Sequence, residues 1–120
     1  MSILANGIIP LVPGAVAVGT PWVSDEILLQ PYQNDPARRL VGSFSLDLTF
    51  TGVTRTLAAT ILVSNGASFV AYEGANAIFT GKSAGHIFAS FSLPVCRAFK
   101  IVLTATTNTC TVTECIVAMA

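Results

Sequence analysis

The chain reads as an all-β protein: an antiparallel β-sandwich, jelly-roll or Greek-key like, with an extended N-terminal arm. Three observations predict this. Apolar and polar residues alternate with a period of two over several stretches, the pattern of half-buried strands. Turn residues recur about every 8–12 positions, as in sandwiches and barrels. No stretch carries the helical periodicity of a crossover between parallel strands, so neighbouring strands are expected to be antiparallel.

Taken in chain order, the first 22 residues form the arm. They are apolar, the first charged side chain being Asp25, and they are interrupted by Gly7, Pro10, Pro13, Gly14, Gly19 and Pro21. Such a segment cannot sustain a helix; within it, Gly14 to Val23 has strand character. Residues 23–120 form the single sandwich domain. Ser24-Asp25-Glu26 offers a cap for one helical turn through Gln30, and Asp35 for another through Arg39, both kept short by Pro31 and Pro36.

The clearest strand follows from Val41, where Phe44, Leu46, Leu48 and Phe50 alternate with Ser45, Asp47 and Thr49. Thr56 to Val63 is a second strand. Asn65-Gly66 predicts a tight hairpin, because both residues tolerate positive φ, and its register sets Ile61 against Val70 and Ala59 against Tyr72. Ala77 to Thr80 is a short strand, Gly81 to Gly85 a loop, and His86 to Leu93 a strand with Ile87, Ala89, Phe91 and Leu93 on one face. Phe99–Thr106 and Thr109–Ala118 are expected to close a last hairpin around Thr107-Asn108. Phe99, Ile101, Leu103, Cys110, Val112 and Ile116 would share its apolar face, with Cys115 on the other.

Charge is the second informative property. Six basic and six acidic residues among 120 leave 10% charged, against 52% hydrophobic; a globular domain averages about 25% charged. Only Lys82 and Lys100, and Glu26, Glu73 and Glu114, represent lysine and glutamate, the types most depleted at protein–protein interfaces. A chain this poor in charge is expected to be covered by partners for most of its life. The zero net charge and the isolation of Arg38-Arg39 exclude a phosphate-gripping footprint, so no direct nucleic-acid contact is expected. No run approaches the ~18 apolar residues of a spanning helix, so no membrane role is expected. The start of the chain lacks the basic segment of a secretion signal, and Pro10 and Pro13 break what would be its apolar core.

Motifs of chemistry fail on context. Gly81-Lys82-Ser83 resembles the end of a phosphate loop, but Asn76 stands where the first glycine belongs and a strand, not a helix, is expected to follow. His86 is the only histidine, with no second ligand at metal spacing. A Cys96–His86 nucleophilic pair lacks an orienting carboxylate. Asp25 and Glu26 are neighbours and point apart, unsuited to glycoside hydrolysis. No catalytic residue, metal ligand or cofactor is therefore assigned, and the chain is not expected to be an enzyme. Cys96, Cys110 and Cys115, an odd number with no metal spacing, are expected to be reduced and buried in a protein made in the cytosol.

The apolar arm, the compact all-β domain and the scarcity of lysine together resemble a virion structural protein, most of all the jelly-roll decoration, or cement, proteins of tailed bacteriophage capsids. That resemblance is architectural. It implies a protein made in the host cytoplasm and placed on the outer capsid surface of the virion. There it would bridge subunits of the major capsid protein, often as a homo-oligomer (dimer or trimer), with no cofactor. Binding the assembled shell better than free subunits would stabilise the shell by mass action. On this reading Ile3, Leu4, Ile8, Ile9, Leu11 and Val12 of the arm, with Trp22, bury apolar area against the partner. Trp22 is the only tryptophan, a residue type enriched in binding hot spots. The alternative is a carbohydrate- or receptor-binding β-sandwich of a fibre or adhesin, which needs an exposed aromatic platform. Trp22, Tyr32 and Tyr72 supply little for one.

Overall fold

The computed structural model describes residues 3–4, 8–17, 19–28, 43–51, 57–72, 77–82, 85–93, 96–105 and 109–119. The expected turn at Asp35–Arg39, the Thr107-Asn108 turn and Tyr32 lie outside these residues. The elements are β1 (Ile3–Leu4), β2 (Ile8–Leu11), β3 (Gly14–Val16), β4 (Trp22–Val23), β5 (Ile27–Leu28) and β6 (Ser43–Thr51). There follow β7 (Leu57–Ser64), β8 (Val70–Ala71), β9 (Ala77–Lys82), β10 (His86–Ser92), β11 (Ala98–Ala105) and β12 (Cys110–Met119). Two sheets pack face to face. One runs β1-β5-β11-β7-β8, with β4 also on β11 and β9 also on β7; the other runs β10-β6-β12-β2, with β3 also on β12. Pairing is antiparallel except between β1 and β5.

Several strands are collinear halves of one longer strand. β2 and β3 hold the same register on β12, with Leu11 opposite Cys115 and Gly14 opposite Val112, and break only at Val12-Pro13, where Gly14 takes φ +65°. β4 and β5 both line β11, and Ser24 bridges them: its N–H donates to the Ile101 carbonyl at 2.9 Å and its Oγ accepts from the Ile101 N–H at 2.9 Å. A side-chain oxygen thus stands in for a ladder carbonyl where the strand shifts, leaving the Ile101 amide satisfied. Counting β2/β3, β4/β5 and β8/β9 once each, and setting aside the two-residue β1 on the edge beside β5, gives eight strand positions that the chain visits by passing repeatedly between sheets. Their arrangement is the double Greek key of a jelly roll.

The core lies between the sheets. Phe44, Leu46, Leu48 and Phe50 of β6 are buried as their alternation predicts, facing Leu57, Ala59 and Ile61 of β7 and Phe99, Ile101 and Leu103 of β11. Phe44, Phe91 and Phe99 form an aromatic trio with ring centroids 5.4–6.2 Å apart, one pair stacked and two edge-on. At one end Arg97 ties loops together. Its guanidinium donates to the Gly66 carbonyl at 2.7 and 3.1 Å and to Glu26 at 3.3 Å, while its amide donates to the Ser64 carbonyl and the Asn65 side chain.

The structure corrects five sequence expectations. The Asn65-Gly66 hairpin is not a two-residue turn: Val63 pairs with Val70 and Leu62 with Ala71, because the Ser64 hydroxyl and Arg97 hold residues 64–66 in a wider loop. Ile27-Leu28 is a strand on β11 rather than part of a helical turn, Ser24 serving the ladder instead of a helix cap. Gly81 and Lys82 continue β9 rather than opening a loop. β11 and β12 are not a hairpin, since they belong to opposite sheets. Finally, Cys115 lies on the core-facing side of β12, not on the side opposite Cys110 and Val112, and Ile116 faces outward. Thr113 is an extra residue between the pairs Val112–Phe50 and Glu114–Thr49, and this bulge moves the later alternation by one.

Candidate protein interface

The N-terminal segment is where sequence expectation and structure meet most informatively. Ile8–Leu11 and Gly14–Val16 are strands of the second sheet, so this part of the arm lies on its own domain. Alternation along β2 then divides the expected contact residues. Ile9 and Leu11 point inward and join the core, at 3% and 8% exposed, so Ile9 has no surface left for a partner and Leu11 shows only a small part of its side chain. Ile8 and Val12 point outward, at 70% and 89% exposed. Ile3 and Leu4 lie in β1, paired alongside β5 at the edge of the first sheet. Trp22, on β4 opposite Leu103, is half-buried and packs one side against the core.

Of these residues Leu11, Val12 and Trp22 meet at one corner; Ile3, Leu4, Ile8 and Ile9 do not line it. A cleft of about 340 Å³ lies where β2 of the second sheet meets β4 of the first, lined by Pro10, Leu11, Val12, Trp22, Val23 and Asp25. Its floor is the inward-pointing Leu11 and the half-buried indole, and its rim the exposed Val12 and Val23, the latter 44% exposed. Two strands of different sheets supply the walls, so the site exists only because the chain crosses between sheets after Val16. Pro10 sits in β2 opposite Ile116, at the sheet edge, which it can occupy because its nitrogen needs no partner there. Four lining residues are aliphatic or proline, one is aromatic and Asp25 alone is charged.

Of the cleft's lining residues the sequence singled out Leu11, Val12 and Trp22; it did not single out Val23, nor two exposed apolar residues elsewhere, Val70 (61%) and Phe88 (69%). Phe88 carried a signal. It alternates with His86, Ser90 and Ser92 on the polar face of β10, where a large aromatic ring is out of keeping.

The rejected chemistries can be placed. A strand, β10, follows Gly81-Lys82, so no helix N-terminus stands behind that motif. His86 lies on the outer face of β10 and bonds to Asp47 of β6, whereas Cys96 is buried ahead of β11 in the other sheet; the two are not brought together. Among the described residues no cluster of three or more His, Cys, Asp or Glu is placed to hold a metal, and no helix is long and apolar enough to cross a membrane.

All three cysteines are free and buried. Burial pushes the Cys96 thiol up to about 11, partly offset by an Ala98 backbone hydrogen bond and by Arg97, and pushes the Cys115 thiol up to about 12, with the Asp47 charge adding to it. Thiols so suppressed are poor nucleophiles at neutral pH. The unfolded chain ionises these groups near their ordinary value, about 8.5, before the folded one does. Their contribution to stability is therefore full below about pH 8.5 and is lost as pH rises toward 11–12. Unfolding free energies from urea titrations between pH 8 and 10.5 should fall by up to about 1.4 kcal/mol per pH unit per thiol. A flat profile for wild type, or an equal fall in a Cys96→Ala/Cys115→Ala variant, would contradict this.

Fold and cleft together define a jelly-roll sandwich with an open corner between its two sheets. No family model matches the sequence, and no curated protein matches it. Solved structures do resemble it. One is a family GH115 4-O-methyl-alpha-glucuronidase with specificity for decorated arabinogalactans, matched at TM-score 0.50 and 12% identity over 97% of this chain. Another is the structure of infectious bursal disease virus, Gx strain, at TM-score 0.39 and 12% identity over 92% of this chain. This chain spans 16% and 32% of those two chains. At such identity the first likeness establishes the β-sandwich fold and nothing of the activity.

Proposed function

We propose that this chain is a virion structural protein of the decoration, or cement, type, which binds an assembled capsid shell through its β2–β4 corner. The observation that carries the reading is the coincidence of three features at that corner: two aliphatic rims, Val12 and Val23, exposed to solvent; a half-buried tryptophan between them; and a surrounding segment without charge before Asp25. Apolar area held open on a rigid scaffold contributes to binding without first having to be ordered. Preference for the shell over its free subunits would come from a seat made by two neighbouring capsid subunits at once. Occupying that seat favours the assembled state by linkage. The partner is then the major capsid protein, with the virion surface as location.

The test is co-sedimentation with assembled shells and with free subunits of the cognate capsid protein. Wild type should pellet with shells and not with subunits, and Val12→Asp should lose about tenfold or more in affinity because it sets a carboxylate on the apolar rim. Equal binding by Val12→Asp, or no shell binding by wild type, would overturn the proposal. A glycan-binding sandwich has one observation in its favour, Trp22 beside Asp25 in a cleft. It requires quenching or shift of Trp22 fluorescence on titration with oligosaccharides.

A further inference from the structure

The outer face of the second sheet carries three apolar side chains that the cleft does not absorb, Phe88, Ile116 and Ile8. Cross-strand register sets Phe88 of β10 beside Asp47 of β6, Asp47 beside Ile116 of β12, and Ile116 beside Pro10 of β2. The next row runs Ser90, Ser45, Ala118, Ile8. Inward positions on these strands are buried, so all eight residues point away from the core. The face thus has an aromatic knob at one edge, Phe88 at 69% exposed, and an aliphatic patch at the other, Ile8 at 70% exposed with Pro10. Ile116 lies between.

We infer that this face is a homodimer interface, with Phe88 of each copy seated on Ile8 and Pro10 of the other. The occupant is argued from symmetry, charge and area. A two-fold axis parallel to the strands, between β6 and β12, turns the face onto itself and sets β10 of one copy over β2 of the next. Knob then meets patch twice, as an isologous contact requires. The same operation sets Asp47 over Ile116, and Glu114 over Thr49, so the face's two described carboxylates meet no like charge. A two-fold axis across the strands would instead stack β6 on β6, and one passing through the Phe88–Asp47 row would bring the two Asp47 carboxylates together. Asp47 is, moreover, already bonded to His86.

The area also suits. Four strands about 4.8 Å apart and a nine-residue β6 at about 3.4 Å per residue span roughly 19 by 31 Å, about 600 Å² in projection. Side-chain relief brings this toward the ~800 Å² per partner of a standard specific interface. Aligned stacking at the usual sheet-on-sheet angle is the geometry involved.

This inference specifies the self-association implied in the function proposed above, but its test contains no capsid. Light scattering on the purified chain should give twice 12.5 kDa at micromolar concentration. Phe88→Asp and Ile8→Asp should each raise the dimer dissociation constant about 100-fold and give a 12.5 kDa monomer with unchanged circular dichroism. Val70→Asp, an equally exposed change on the other sheet, should leave the dimer intact. A wild-type monomer, a dimer undisturbed by Phe88→Asp, or a mass growing beyond two copies from head-to-tail contact would each overturn the inference. Each of these would leave shell binding through Val12 untouched.

Discussion

Ile9→Asp is expected to abolish folding, while the same substitution at Val12 is expected to leave stability within about 0.5 kcal/mol of wild type. The residues are three apart in one segment and differ only in the direction they point. Ile9 is 3% exposed between β12 and the core, opposite Val117; Val12 is 89% exposed. An unpaired carboxylate at Ile9 would have to be buried or protonated, or would detach β2 from β12. Each route costs several kcal/mol against the roughly 5–15 kcal/mol that holds a domain together. Near-UV circular dichroism and urea titration check this. A cooperative Ile9→Asp transition at the wild-type midpoint would mean that β2 does not belong to the sheet. The contrast bears on function as well. Deleting residues 1–20 would remove Ile9, Leu11 and Val16 from the core and bare the edge of β12, so it would read out folding rather than attachment. The outward-facing Val12 is the position at which the two separate.

The second large effect is expected at Phe99. Its ring lies 5.4 Å from Phe44 and 6.2 Å from Phe91, joining β11 of one sheet to β6 and β10 of the other, and it is fully buried. Phe99→Ala should cost about 3–5 kcal/mol, the transfer loss plus a cavity that three different strands cannot close. In thermal melts this corresponds to a fall in Tm of about 12–20 °C for a domain of this size. Phe91→Leu, at the rim of the trio, should cost well under half as much. A loss below about 1.5 kcal/mol for Phe99→Ala would show that the sheets repack around the void.

What could be read from the sequence follows a physical division. β6 was fully legible because its alternation is unbroken and each apolar residue from Phe44 to Phe50 is buried. β10 was legible for the same reason, and the all-β sandwich followed. Long-range decisions were not legible. Nothing local says that β11 and β12 part to opposite sheets, since each is a good strand with a turn-rich link between them. The bulge at Thr113 left no composition signal either, so the strict period of two gave the wrong face to Cys115 and Ile116. In the candidate site, Leu11, Val12 and Trp22 were visible as apolar residues in an uncharged segment. Their roles were not, because inward and outward depend on the register of β2 against β12. Val23 joins the cleft only through the approach of β4 to β2, which is a tertiary fact.

Pro10 has a consequence for how this molecule ages in solution. A chain that is 52% hydrophobic, and whose described residues are mostly strand, risks ribbon growth, in which the free margin of one sheet recruits the next molecule's backbone without end. A proline in the margin strand β2 removes a donor from the row that would template such recruitment. Adhesion through side chains, which saturates when the surfaces are covered, remains open on that flank; addition through the backbone, which never saturates, is impeded. One ring without an N–H thereby favours finite particles over fibres.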